Sequence, residues 1–335
     1  MLLNRIASLH DNPEPLTLTE LPRPTPVADE VLIQVSACGV CHTELDEIEG
    51  RTAPSFLPIV LGHEIVGRVV ETGDRVSTLA IDDRVGVGWI SRSSGDEREN
   101  LSDKFVATGR DTHGGYAEYV TVHEHYAHRI PECFTDVEAA PLLCAGSVGY
   151  RALKLTKICN KDILGLTGFG GSGHLVLQLA KHLYPESPIY VFARSSEERE
   201  FALSLGASWA GDIDDSPPQL LHAIIDTTPV WHPVVAALKR LRPGGKLVIN
   251  AIRKEDSDKH ELAEIDYAEH LWREKTLQTV ANVTSADIRE FLQIAGDANI
   301  RPEVRVYPLT DANIALQALR TGHIRGAYVL DLSER

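Results

Sequence analysis

The chain has 335 residues, 43% of them hydrophobic and 24% charged, with a formal net charge of −15 and five cysteines. At roughly 150 residues per domain this length suits about two domains. The acidic balance, with no Lys/Arg cluster, excludes a nucleic-acid partner, and no apolar run approaches the roughly 20 residues that span a bilayer. Residues 1–15 are too short and too interrupted for a secretory signal, which places the chain in the cytoplasm. There, an odd and irregularly spaced set, Cys38, Cys41, Cys133, Cys144 and Cys159, reads as buried small residues, metal ligands or nucleophiles, not as a disulfide framework.

In chain order, residues 1–150 alternate short β-branched runs, such as 31–35 and 65–70, with glycine and proline breaks. This is a strand-and-loop pattern. From about 162 to 250, strands alternate with helices. Residues 162–167, 188–192, 223–226 and 246–249 read as strands. Residues 174–182, 197–205 and 234–241 read as helices, the second capped by Gly206. Pro243-Gly244-Gly245 reads as a turn. This alternation predicts an α/β fold with a doubly wound parallel sheet. Further on, 286–294 and 311–320 read as helices and 325–332 as a last strand. His123-Glu-His125-Tyr-Ala-His128 lacks the H-E-x-x-H spacing and reads as a solvated strand face. Residues 212–215 read as a solvated acidic loop.

Gly168-Phe-Gly170-Gly171-Ser-Gly173 fits G-x-G-x-x-G. Alone the pattern is weak, and a plain structural turn is the alternative. Following a strand and opening a helix, it reads as a dinucleotide cradle. The glycines permit a tight turn, and the helix N-terminus offers unpaired N–H groups to a pyrophosphate. An NAD site would carry an acid at the end of the next strand. Here that strand ends Phe192-Ala193-Arg194-Ser195. A guanidinium and a hydroxyl suit a 2′-phosphate, which favours NADP over NAD. The alternative is that Arg194 stacks on adenine and NAD is used.

Cys41, His63 and Cys144 are far apart in sequence, and spacing alone does not define a metal site. Cys38-x-x-Cys41 also suits a redox dithiol or half a zinc knuckle. Taken together, however, Cys38-Gly-Val-Cys41-His-Thr43, Gly62-His63-Glu64-Ile-Val-Gly67, Asp83-Arg-Val85, Gly114-Gly-Tyr-Ala-Glu118, residues 141–153, Gly168 to Gly173 and Arg325-Gly326 resemble the zinc-dependent alcohol dehydrogenases of the medium-chain dehydrogenase/reductase superfamily. Bacterial enzymes related to cinnamyl-alcohol dehydrogenases are the most similar group.

The resemblance implies a GroES-like catalytic domain at 1–147, completed by 281–335, and a Rossmann dinucleotide-binding domain at 148–280. It implies that Cys41, His63 and Cys144 hold one catalytic zinc, with a fourth position open to the oxygen of an alcohol or aldehyde. Glu64 matches a carboxylate that approaches the metal, or else a hydrogen-bond acceptor behind the ligands. Thr43 matches the hydroxyl that passes the substrate proton outward. His42 and Arg325 match basic positions over the cofactor pyrophosphate. Trp89 matches an aromatic residue that narrows the pocket, with a core role as the alternative.

The sequence departs from its relatives in three places. The stretch after Trp89, residues 90–103, has no cysteine where many relatives hold a structural zinc, so one zinc per chain is expected. Asp46 stands where many have a histidine ending the proton relay at solvent. Val148 replaces a threonine beside the nicotinamide. A homodimer or homotetramer is expected. The competing readings are a zinc-free quinone or enoyl reductase of the same fold and a non-catalytic dinucleotide-binding protein.

Overall fold

A computed structural model describes residues 1–322 and 325–333. The chain divides into two compact units. Met1–Ser147 and Val283–Arg335 form the first, and Val148–Asn282 the second.

The first unit is organised on the long strand Glu30–Val40. Val31, Leu32, Ile33, Val35, Ala37, Cys38 and Val40 along it are all buried. Buried β-branched runs of this length belong in the middle of a sheet, where pleated neighbours cover them. The strand pairs antiparallel with Ile65–Thr72 over most of its length. Tyr119–His123 pairs with its first half and Ala327–Asp331 with its last residues. Arg84–Val87 and Ala127–Arg129 extend the sheet on one side and Val304–Pro308 on the other. Two register shifts along the Ile65–Thr72 pairing bend the strand so that one segment serves three neighbours.

The cysteine-free segment after Trp89 is short and anchored by one carboxylate. Glu99 is buried. It accepts from the Tyr126 hydroxyl at 2.9 Å and from the Ser285 amide, at the start of the helix Ser285–Asp297, at 2.5 Å. An acid at a helix N-terminus satisfies free amides and complements the dipole.

The second unit holds six parallel strands. Their order is Trp209–Gly211, Ile189–Phe192, Leu164–Thr167, Leu221–Asp226, Leu241–Ile249, Thr276–Thr279. This 3-2-1-4-5-6 arrangement is the doubly wound sheet, which takes ligands at the C-terminal ends of its strands. Leu164–Thr167 and Ile189–Phe192 are buried at every position, as parallel strands covered on both faces must be. Of the boundaries that differ from the sequence reading, one changes the meaning of a motif. The strand expected at 246–249 begins at Leu241, which pairs with Leu221. The chain then loops out and rejoins the ladder where Lys246 meets Ala223. Pro243-Gly244-Gly245 is thus a bulge inside a strand, not a turn before one. A proline that cannot donate to the ladder and a glycine at φ +73° account for the excursion.

The histidine-rich run is also different from the expected strand face. Glu124–Tyr126 form a 3-10 turn between Tyr119–His123 and Ala127–Arg129. The break turns His128 inward, to 5% exposure. Burial, together with the charges of Arg289 and His125, pulls its imidazole from the usual 6.5 to about 3. A histidine held neutral in the folded state contributes full stability above pH 6.5 and loses it as pH falls towards 3, because only the unfolded chain takes up the proton in that window. At pH 5 the loss is about 2 kcal/mol. Urea unfolding at pH 7 and pH 5 should therefore show His128→Gln losing less stability than the wild type by that amount. Equal losses in the two proteins would remove this assignment. Cys133 and Cys159, expected as structural cysteines, are exposed, whereas Cys38 is fully buried.

No helix among the described residues is long and apolar enough to cross a membrane.

Candidate metal centre and dinucleotide edge

Cys41 is the residue before the short helix His42–Ile48, in extended conformation. Its amide donates to Glu44 Oε2 at 2.7 Å. The other oxygen of Glu44 accepts from His63 Nδ1 at 2.6 Å. One fully buried carboxylate therefore sets the backbone of one candidate ligand and the ring of another. His63 follows Gly62, which lies at φ +99°, where a Cβ would stand 2.4 Å from the Tyr116 ring. Only glycine permits that turn, and the turn delivers His63 to the site. Cys144 enters between the 3-10 turn Ala140–Leu143 and the helix Ala145–Thr156.

These segments bring Cys41, His63, Glu64 and Cys144 together, with one ligand atom from each lying within 4.8 Å of all the others. With Nδ1 of His63 engaged by Glu44, Nε2 is the ring atom left for a metal. That atom is buried and has no hydrogen-bond partner. A buried ring nitrogen without a partner is costly unless something binds it. Two thiols and an imidazole oriented by a carboxylate match the donor set of a tetrahedral zinc site whose fourth position is open, with the Glu64 acid beside it. The residues fit the metal.

The electrostatics point the same way. A hydrogen bond from Cys144 and the nearby His63 lower the Cys41 thiol well below its ordinary range, against the effect of burial. The same thiol–thiol bond, with burial, pushes Cys144 well up. Burial alone would lower the proton affinity of His63, but the Glu44 charge raises it well above normal. Burial raises Glu64 strongly, and the Cys41 charge adds to this. Protons thus occupy positions that a divalent cation would clear on binding.

Around this cluster, Thr43 is buried at 4% exposure, with Oγ1 3.6 Å from Cys41 Sγ. The Trp89 indole is tilted against His63, ring centroids 6.3 Å apart, and meets Phe105 edge-on at 5.5 Å. The Arg110 guanidinium lies 5.1 Å above the indole. Trp89 therefore stands beside the metal cluster and is not a distant core residue. Asp46, a candidate acceptor for the relay proton, is 1% exposed and ion-paired to Arg51 Nε at 2.6 Å. Its carboxylate anchors the following turn, where its carbonyl accepts the Arg51 and Thr52 amides. It does not open to water. His42 is exposed, as is Arg325, whose Nε pairs with Glu303 Oε1 at 2.8 Å. Glu44, Arg51, Phe105 and Arg110 escaped the sequence reading. None belongs to a motif that stands out without a partner already in place.

In the second unit, Gly168, Gly170, Gly171 and Gly173 make the turn from Leu164–Thr167 into the helix Gly173–Leu183. Gly168 has φ +81°, and a Cβ there would lie 2.7 Å from Thr227 Oγ1. A side chain at Gly170 would meet no atom within 4 Å, so that face of the turn is open. At the end of the next strand Arg194 is exposed. Ser195, expected to help hold a phosphate, is also the N-cap of the helix Ser196–Ser204. Its hydroxyl accepts the Glu198 amide at 3.1 Å. Arg199, which the sequence reading passed over, braces this loop by donating to the Ala193 and Arg194 carbonyls at 2.8 Å.

Fold and sequence together place the chain in a known class. Residues 27–132 match the alcohol dehydrogenase GroES-like domain, so the architecture is a GroES-like unit joined to a Rossmann unit. A probable alcohol dehydrogenase of Mycobacterium tuberculosis is 40% identical over 323 residues, covering 93% of this chain and 91% of that protein. Among solved structures, a cinnamyl alcohol dehydrogenase of Sorghum bicolor superposes with a TM-score of 0.80 at 26% identity, covering 94% of this chain and 93% of that one. A cinnamyl alcohol dehydrogenase of Helicobacter pylori complexed with NADP(H) gives 0.80 at 26%, covering 92% of each. The chain belongs to the zinc-dependent alcohol dehydrogenases of the medium-chain dehydrogenase/reductase superfamily, near the cinnamyl-alcohol-dehydrogenase-like enzymes. It is an oxidoreductase acting on alcohols.

Proposed function

We propose that this chain uses one zinc, held by Cys41, His63 and Cys144, to interconvert a primary alcohol, aliphatic or aromatic, and its aldehyde, with NADP as the hydride carrier. The observation that carries this reading is the convergence of three sequence-distant ligands around the unpartnered Nε2 of His63. The metal, when bound, supplies Lewis acidity that lowers the pKa of the alcohol and stabilises negative charge on its oxygen.

The residues of the chain do the rest. Glu44 keeps the proton of His63 on Nδ1 and so keeps Nε2 available to the metal. Glu64 lies close enough to offer a carboxylate oxygen to a metal in the cluster. The Thr43 hydroxyl both accepts and donates, so it takes the proton of the substrate and passes it on. Because Asp46 is buried and held by Arg51, Thr43 would pass the proton on to water or, with the dinucleotide bound, to a ribose hydroxyl. Trp89, fixed between His63, Phe105 and Arg110, makes a flat wall that favours unbranched or planar aromatic substrates. The ligand set argues against a zinc-free quinone or enoyl reductase, and the buried Thr43 beside it argues against a purely nucleotide-binding protein.

For the cofactor, Arg194 carries the choice. It is exposed, and no acid ends its strand to repel a 2′-phosphate. A charge-assisted bond to that phosphate is worth enough to change affinity by roughly 10- to 100-fold. Arg194→Ala is expected to raise KM for NADPH by that factor and leave KM for NADH nearly unchanged. A panel of alcohols and aldehydes assayed in parallel with both cofactors tests the reading. Strong preference of the wild type for NADH would overturn the NADP assignment, and absence of turnover with every alcohol and aldehyde would overturn the activity.

A further inference from the structure

We propose that Lys254 is a positioning residue for the dinucleotide, an inference that rests on the function proposed above. Its buried ammonium holds the loop after Leu221–Asp226 in place as the wall against which the glycine turn is set.

The side chains of Lys254 and Asp226 are 7% and 0% exposed. Lys254 Nζ donates to Asp226 Oδ2, to the Thr228 carbonyl at 2.7 Å and to the Val230 carbonyl at 3.0 Å. All three ammonium protons therefore have acceptors. The other carboxylate oxygen, Asp226 Oδ1, accepts from the Thr167 hydroxyl at 2.6 Å and the Thr228 hydroxyl at 2.8 Å. Two backbone bonds join the loops after adjacent strands: Asn250 N to Asp226 O and Glu255 N to Pro229 O, both at 2.7 Å. Asp258 adds a third tie by accepting the Trp231 and His232 amides at 2.7 and 2.8 Å.

The network ends at the glycine turn. Thr227 donates its amide and its hydroxyl to the Thr167 carbonyl at 2.9 and 3.0 Å. Thr227 Oγ1 and Thr228 Cγ2 fill the space that a Cβ on Gly168 would need, at 2.7 and 3.1 Å. The first glycine of the turn is thus packed directly against the loop that Lys254 fixes. All of this lies at the C-terminal ends of Leu164–Thr167 and Leu221–Asp226, where doubly wound sheets take their ligands.

A buried ion pair is weak support for stability, because desolvation offsets most of its attraction. Its effect is geometric, since it allows one arrangement of the loop. A pyrophosphate cradle made of backbone amides depends on such placement. Removing one partner would strand a buried charge, so the informative variant is the double change Asp226→Asn/Lys254→Met, which removes both charges and keeps the side-chain volumes.

The test uses the full chain as wild type, as Lys254→Met and as the double variant. NADPH and NADH are titrated by fluorescence against metal-stripped protein, and cofactor KM, kcat, zinc content and melting are measured on metal-loaded protein. The expected result is a double variant that melts close to the wild type and keeps its zinc. Its dissociation constants for both dinucleotides should be raised at least about tenfold, with the loss appearing in cofactor KM more than in kcat. A folded double variant with wild-type dissociation constants overturns this inference alone. A wild type that binds neither dinucleotide overturns the proposed function and this inference with it.

Discussion

Cys144→Ala should reduce kcat/KM for alcohol oxidation by about 10³-fold or more while the chain stays folded. Cys144 supplies one of the two thiols in a cluster whose four ligand atoms lie within 4.8 Å of one another, and no other cysteine replaces it. Cys38 is fully buried, and Cys133 and Cys159 are exposed. Without the third ligand the proposed zinc would be held loosely, and the several kcal/mol it would contribute to stabilising charge on the substrate oxygen would be lost. Each 1.36 kcal/mol is a factor of ten in rate. The effect on folding should be small, about 1 kcal/mol or less, because the side chain is partly exposed and sits between two helical segments that do not depend on its sulfur. Steady-state kinetics with circular dichroism on the same preparation checks both halves. Full activity in the variant would refute the ligand assignment.

Thr43→Val is the second large effect. Valine keeps the shape of a residue that is only 4% exposed and removes the hydroxyl. A proton relay that loses its positioned donor and acceptor slows by about 10²- to 10⁴-fold. The loss should appear in kcat, with zinc content and dinucleotide affinity unchanged, and Thr43→Ser should recover most of it. A valine variant with wild-type kcat would mean that the substrate proton leaves by another route. The prediction is sharper here than in a chain with a solvent-facing histidine at position 46, because Asp46 is held by Arg51 and offers no second way out.

Much of this was legible in the sequence because local rules and the fold agree. The run Val31 to Val35 is β-branched and became the centre of a sheet. The strand–helix alternation from residue 162 onward became a doubly wound parallel sheet. Gly168 to Gly173 were readable because a strand precedes them and a helix follows. The proposed metal ligands were different. Cys41, His63 and Cys144 carry no spacing signal, and only resemblance across many short motifs singled them out.

What stayed hidden was whatever depends on a partner brought from elsewhere. Glu44 is one acid among several in a short helix until folding places His63 2.6 Å away. Lys254 is one charge in a charged stretch, yet it is buried at the C-terminal end of the strand Leu221–Asp226 because Asp226 is there to receive it. His128 looks like one of three solvated histidines, but a single 3-10 turn rotates it into the core. Ser195 carries a hydroxyl where a phosphate ligand is wanted, and the helix that begins there claims it first as a cap. In each case the residue type was visible and its environment was not.

The central claim is that Cys41, His63 and Cys144 hold one zinc in each chain. Elemental analysis of the wild type purified in metal-depleted buffer, beside Cys144→Ala treated identically, tests it most directly. The account predicts one zinc per wild-type chain and far less than one in the variant. Zinc near zero in active wild-type protein, or one zinc retained by Cys144→Ala, would contradict it.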